Sequence, residues 1–298
     1  MKPHTMPRRI TAHLECGLRI NVLQWMPPQP PAGTLLLVHG LADSAWTWHG
    51  VASALAGRYE IYAFDLPGHG VSARAAAAQY APARAARYLL ELADLFALER
   101  PVLVGHSLGA QLALRVAAGA DDRFAALVLV DYGLDLSEQS RERLLRTLRE
   151  SDRRYADHGE YAAELRRRHP LADPALLDVA ALGALAADGG GVRPAFDLAW
   201  LDVLFGGDAQ AQPVQLAQLF GAISLPVTVV RGAWSLVLSQ RAAETAARSC
   251  PNASLRVIAR AGHSAQIDNP AALAAVLDEA ARQADTDVAT LHEDLAYR

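Results

Sequence analysis

Val104-Gly105-His106-Ser107-Leu108-Gly109-Ala110 joins an apolar run to a helix-forming one. Pro101-Val102-Leu103-Val104 reads as a buried strand, and Leu108 to Ala118 as an Ala/Leu-rich helix. A Gly-x-Ser-x-Gly between a strand and a helix is the sequence form of a nucleophile elbow. Such a serine occupies a sharp, strained turn where a bulky neighbour would clash, so glycines flank it two residues away on each side. The turn lifts the Ser107 hydroxyl clear of the sheet, and the new helix aims its first amide N–H groups at the reacting atom. Isolated Gly-x-Ser-x-Gly strings arise by chance. The strand before this one and the helix after it make Ser107 a candidate nucleophile rather than a plain turn residue.

Outward from the elbow, strands and helices alternate. Ile10 to Glu15 and Leu18 to Trp25 read as a hairpin turned at Cys16-Gly17, and Thr34 to Val38 as a continuous apolar strand. Further strands are expected at Ile61–Phe64, Ala125–Val130, Pro226–Val230 and Leu255–Ile258. Helices are expected near Ala45–Ala56, Pro82–Leu98, Gln240–Arg248 and, capped by Asn269-Pro270, out to Ala284, with Asp285 to Arg298 as a tail. The pattern predicts an α/β fold, a doubly wound, mostly parallel sheet of about eight strands. Between Gly133 and Gly221 the alternation stops. Helical patterns at Ser140–Arg153, Tyr161–His169 and Pro174–Leu185 surround a Gly189–Gly191 break with no convincing strand. This segment, 133–221, reads as a helical cap inserted into a core domain of residues 1–132 and 222–298.

The 298 residues are 52% hydrophobic and 20% charged, enough to bury a sizeable core. A net charge of −4 argues against nucleic acid or an anionic membrane surface as partner. Two cysteines, Cys16 and Cys250, read as small buried hydrophobes of a reducing compartment rather than a disulfide framework. The polar stretch Met1 to Arg9 has no signal-peptide core, and no apolar run is long enough to span a bilayer. A soluble cytoplasmic protein with a small-molecule substrate is expected, with a homodimer left open. No histidine pair has the spacing of a zinc site such as H-E-x-x-H, so neither metal nor cofactor is expected.

Leu37-Val-His-Gly40, Phe64-Asp-Leu-Pro-Gly-His-Gly-Val-Ser72, Gly105-His-Ser-Leu-Gly109 and Ala261-Gly-His-Ser264 occur in an order and spacing that resembles the α/β-hydrolase superfamily, over roughly residues 10 to 285. The resemblance implies Ser107 as nucleophile and His263 as general base. It implies an oxyanion hole from the backbone N–H groups of Leu41 and Leu108. Asp65, His69 and Gly70 look like that family's tight-turn residues, and His39 like a brace of the oxyanion loop. The residues agree: a serine hydroxyl needs a base within hydrogen-bond reach, and His263 follows a strand in a Gly-His turn. His106, beside the nucleophile, points the other way along the backbone and reads as packing.

The pattern departs at the acid that should fix the histidine's tautomer. In most of the superfamily it follows the seventh strand, here the turn Arg231-Gly-Ala-Trp-Ser-Leu-Val-Leu-Ser239, which has no Asp or Glu. The resemblance places that family's aspartate at Leu236. The replacement expected is Asp131, directly after Ala125–Val130, where haloalkane dehalogenases and certain cofactor-free oxygenases look similar. Asp131 also reads simply as the residue that starts the cap. Asp268 is a second candidate that suits a helix N-cap better, and a Ser-His dyad is a third arrangement.

A serine nucleophile argues against epoxide hydrolase and dehalogenase chemistry, which forms an ester on a carboxylate. Serine, a histidine base and two amide donors fit acyl transfer, so hydrolysis of a small-molecule ester, lactone, thioester or activated amide is expected. Trp46, Tyr132, Trp234 and Leu236 lie next to the motif loops as candidate walls of an apolar substrate pocket, and Trp48 as a core anchor. The cap arginines from Arg141 to Arg168 read as a solvated face balanced by Glu142, Glu150, Asp152 and Glu164. Two other readings stay open: a cofactor-independent oxygenase with His263 as base, and a non-catalytic ligand-binding member.

Overall fold

Strands that are apolar on both faces require a sheet covered on both sides. The computed structural model describes residues 5–132, 138–206 and 218–296, the last stretch beyond 284 as backbone only. The chain runs through β1 (Arg8–His13), β2 (Arg19–Trp25) and β3 (Thr34–Val38), then α1 (His49–Leu55) and β4 (Glu60–Phe64). It continues through α2 (Pro82–Leu95), β5 (Val102–His106), α3 (Leu108–Ala117) and β6 (Ala126–Val130). After β6 come α4 (Glu138–Ser151), α5 (His158–Arg168), α6 (Pro174–Gly183), β7 (Leu185–Asp188), β8 (Gly191–Pro194) and α7 (Ala199–Phe205). The chain returns through β9 (Val227–Gly232), α8 (Gln240–Ser249), β10 (Ala253–Ile258), a short α9 (Ala265–Asp268) and α10 (Pro270–Ala296).

Eight of these strands form one sheet in the order β1-β2-β4-β3-β5-β6-β9-β10. Its first two pairings are antiparallel and the rest parallel. Successive side chains point to opposite faces. Leu36, Val38, Leu103 and Leu127 therefore pack under α2 and α3 with Leu89, Leu112 and Ala113. Leu35, Leu37, Val104 and Val128 pack on the other face with Trp48, Val51, Leu273 and Leu277.

Three expectations are corrected. The Gly189–Gly190 break is the turn of a hairpin, both glycines at positive φ, with β7 and β8 antiparallel around it. Only Leu185, Val192 and Pro194 of its eight strand residues are buried, too few for an alternation to show in the sequence. Cys16 is exposed at the β1–β2 turn, whereas Cys250 is buried as expected. The final helix continues past Ala284 to Ala296 instead of ending in a tail. The stretches 133–137 and 207–217, where the cap was expected to leave and rejoin the core, lie outside the described residues.

The segment between β6 and β9 is moored at the turn after β4. The Gly70 N–H donates to the Ala195 carbonyl (2.7 Å) and the Asp197 N–H to that of Gly68 (2.8 Å). Tyr80 Oη donates to Asp197 Oδ2 and Trp200 Nε1 to the Pro67 carbonyl, both at 2.8 Å. Its arginines meet carboxylates at the surface: Arg153 with Glu160, Arg166 with Asp178, Arg167 and Arg168 with Glu164.

The glycines of the elbow motif are steric necessities. A Cβ on Gly105 would lie 2.4 Å from the Gly109 carbonyl carbon, and one on Gly109 would lie 2.3 Å from the Val38 carbonyl oxygen. Helix α3 thus crosses β3 and β5 at backbone contact. Gly109→Ala is expected to force that crossing apart at about 1–3 kcal/mol, read as a lower denaturation midpoint. An unchanged midpoint would contradict the crossing.

Candidate active site

Ser107 stands between β5 and α3 with φ 51° and ψ −114°, a strained conformation held by its N–H to the Val130 carbonyl (3.0 Å). Leu108 is the first residue of α3, so its N–H has no acceptor within the helix. Gly40, in the loop after β3, lies on the elbow: a Cβ there would sit 3.2 Å from Ser107 Cβ and 2.8 Å from His106 Nδ1. Leu41 follows, half-buried.

That loop is held by three buried polar side chains. His39 Nε2 accepts from the Leu66 N–H (2.9 Å), which puts its proton on Nδ1, donated to the Gly40 carbonyl (2.7 Å). His69 Nε2 likewise accepts from the Ala42 N–H (3.1 Å), where Ala42 takes φ 60°. Asp65 accepts from Ala45 N–H (2.7 Å), Val71 N–H (3.0 Å) and Asn21 Nδ2 (2.9 Å). Asp65 and His69 therefore brace the turn and His39 the loop. Burial holds both imidazoles below their usual value, which keeps the acceptor nitrogens free.

Asp131 follows β6 at φ 46° and is fully buried. Its N–H extends the ladder to the Val230 carbonyl (2.7 Å). Oδ1 accepts from His263 Nδ1 (2.8 Å) and Ser235 Oγ (2.6 Å), and Oδ2 from the Gly232 N–H (2.9 Å). An acceptor of three donors is an ionised carboxylate, and His263 with its proton on Nδ1 keeps Nε2 as a lone pair. Strand β9 lies between β6 and the β10 end that leads to His263. The histidine loop crosses over the end of β9, where a Cβ on Gly232 would lie 1.9 Å from the Gly262 carbonyl oxygen.

His106 does more than pack. Its ring lies 4.6 Å from that of His263, and its Nε2–H donates to the His263 carbonyl (3.0 Å). Gln266 Nε2 donates to its Nδ1 (3.1 Å), so the ring is neutral, as burial also favours. Asp268 neither meets His263 nor caps a helix. Its Oδ2 accepts from the Gly262 N–H (2.8 Å), Oδ1 faces His169 Nδ1 at 3.4 Å, and Asn269 caps α10.

The expected pocket residues divide. Trp46 is buried against His49 and Gly183, between core and insertion, and Trp48 is a core anchor. Tyr132 is buried beside Asp131, its hydroxyl without a partner among the described residues, and burial pushes its phenol up. Trp234 and Leu236 face solvent, 59% and 83% exposed, so neither walls an enclosed pocket. Between them Ser235 turns inward, 6% exposed, as does Leu238 further along the turn, 1% exposed. Ser235 and Gly232 were not singled out from the sequence. The available signal was a small hydroxyl three residues after a glycine, in the turn that lacks the expected acid.

Among the described residues no group of His, Cys, Asp and Glu side chains is placed to hold a metal ion, and no helix is long and apolar enough to cross a membrane. A strained serine heading the helix after a central strand, with a fully buried Asp after β6 bonded to a His after β10, is the arrangement of an α/β-hydrolase fold. A model of the Alpha/beta hydrolase family matches residues 35–276, and the chain belongs to that family. It is 38% identical over 99 residues to an uncharacterized protein of Mycobacterium tuberculosis, covering 33% of this chain and 29% of that protein. It is 30% identical over 263 residues to an esterase of the same organism, covering 85% of this chain and 83% of the esterase. A crystal structure of E-2-(acetamidomethylene)succinate hydrolase superposes with a TM-score of 0.79 at 22% identity, covering 91% and 98% of the two chains, a likeness of fold.

Two predictions follow from the geometry. Gly232→Ala would push the Gly262–His263 backbone off β9, and turnover should fall well before the fold is lost. Wild-type kcat would contradict the crossing. The buried imidazoles make stability depend on pH. His39, His69 and His106 are depressed by burial, so their contribution is complete above the unfolded imidazole value of about 6.5 and lost as pH falls below it. Asp65, raised by burial, works in the opposite direction as a single group. The melting temperature should therefore fall from pH 7 to 5, and a flat or rising curve would contradict neutral histidine braces.

Proposed function

We propose that this protein is a serine hydrolase that cleaves a small-molecule ester, lactone, thioester or activated amide through an acyl-enzyme. The carrying observation is the 2.8 Å bond from His263 Nδ1 to the fully buried Asp131, in a chain whose Ser107 heads α3 at φ 51°. His263 Nε2 takes the Ser107 proton as Oγ attacks the acyl carbon, and Asp131 stabilises the imidazolium that forms. The oxyanion meets the N–H groups of Leu41 and Leu108. As the tetrahedral species collapses, His263 returns the proton to the leaving oxygen, sulfur or nitrogen. Water then repeats the sequence on the acyl-enzyme and releases the acid. The likeness to the mycobacterial esterase supports an ester among these substrates.

The test is p-nitrophenyl ester turnover and fluorophosphonate labelling of wild type, Ser107→Ala and Asp131→Asn. Ser107→Ala should lose labelling, and Asp131→Asn should lose about 10⁴ in kcat with the fold intact. Equal labelling of Ser107→Ala would overturn the nucleophile, and normal turnover by Asp131→Asn the acid. Oxygen consumption with an enolisable heteroaromatic, without ester turnover, would favour an oxygenase using the same histidine.

A further inference from the structure

The turn between β9 and α8 lacks a carboxylate, yet it reaches the acid. A serine hydroxyl has one proton and two lone pairs. The Val237 and Leu238 N–H groups both donate to Ser235 Oγ at 3.1 Å, which occupies the lone pairs. The one proton is therefore committed to Asp131 Oδ1, at 2.6 Å. Arg231 clamps the same turn through Nε to the Leu238 carbonyl (2.8 Å), Nη1 to that of Ala233 (3.1 Å) and Nη2 to that of Ser235 (3.2 Å). The direction of the hydroxyl is thus set by the backbone rather than by a freely rotating side chain.

We propose that Ser235 is a positioning residue that tunes the Asp131–His263 pair, an inference that rests on the triad reading above. Its hydroxyl does two things to Oδ1. It fixes the carboxylate plane, with the Gly232 N–H holding the other oxygen, so that Oδ1 faces His263 Nδ1. It also shares the charge of the oxygen that His263 uses, which lowers the pull of Asp131 on the imidazolium. Removing the hydroxyl loosens the geometry and strengthens that pull. The first effect lowers kcat. The second lets His263 hold its proton to higher pH, so the acid limb of kcat/KM moves up. Among the described residues, the other groups near the histidine loop are the neutral ring of His106 from β5, with Asp43 3.6 Å from its Nδ1, and Asp268 of α9, facing His169 just after α5 and bonded to the Gly262 N–H.

The experiment is the pH dependence of kcat and KM for p-nitrophenyl ester hydrolysis by wild type, Ser235→Ala, Ser235→Thr and Asp131→Asn, with melting temperatures alongside. A hydrogen bond to a charged group predicts a loss of about tenfold or more in kcat for Ser235→Ala. KM should stay near wild type, the acid limb should shift to higher pH, and Ser235→Thr should restore both. If Ser235→Ala folds poorly, Ser235→Cys, close in shape with a weaker donor, gives the same comparison on a folded chain. A lower melting temperature with wild-type kcat and acid limb, while Asp131→Asn is inactive, would overturn this inference alone and leave Ser235 a turn brace. Wild-type turnover by Asp131→Asn would overturn the triad and this inference together.

Discussion

A carboxylate sealed from solvent is the constraint on which the rest of the site depends. Asp131 is fully buried, and an ionised carboxylate there is tolerable only if hydrogen-bond donors replace its water. Its three donors come from three places: the end of β9 at Gly232, the following turn at Ser235, and the loop after β10 at His263. One charge thereby ties the carboxyl ends of β6, β9 and β10 together. The strained backbone of Asp131, at φ 46°, is held by the same bonds and by the ladder hydrogen bond to Val230. Withdrawing any one donor would leave the others to solvate a full charge.

Three buried histidines serve as polar braces. A neutral imidazole offers one donor and one acceptor on opposite sides of a rigid ring, which suits it to joining two backbone segments. His39 joins Leu66 to Gly40, His69 joins the Ala42 amide to the Pro67 carbonyl, and His106 joins Gln266 to the His263 backbone. These rings are almost wholly buried, whereas the His263 side chain is 31% exposed. Burial keeps the three braces neutral. His69 also packs against Phe196 and Trp200, so one ring touches both the loop after β3 and the segment between β6 and β9.

Much of this was legible in the residues because strands and helices have periods. Thr34–Val38 is the strand its apolar run predicts, and the elbow falls where strand gives way to helix. The resemblance pointed to Asp131 with Asp268 and a dyad left open, and the structure pairs Asp131 with His263. What escaped lies where no period exists. Along Arg231–Ser239 nothing in the sequence says which side chain faces in: the resemblance drew attention to Leu236, which is exposed, while Ser235 is turned inward. Trp234 looked like a pocket wall for the same reason. The β7–β8 hairpin escaped because each strand is four residues long with one or two buried positions.

The contact between Ser235 and Asp131 joins the turn after β9 to the end of β6 at the oxygen that His263 uses. Ser235 Oγ and Asp131 Oδ1 are 2.6 Å apart, so two chain positions on neighbouring strands converge on one point in space. His263 Nδ1 needs a negative oxygen at that point and is indifferent to which strand supplies it. With the carboxylate on β6, the turn after β9 needs only a short donor, and serine is short enough to leave room for the charge it faces. A second carboxylate in the turn would meet the first at repulsive distance, so one acid and one hydroxyl is the combination that fills the point without conflict. Gly232 completes the arrangement, because a side chain there would hold the histidine loop away from β6 whatever acid waited for it.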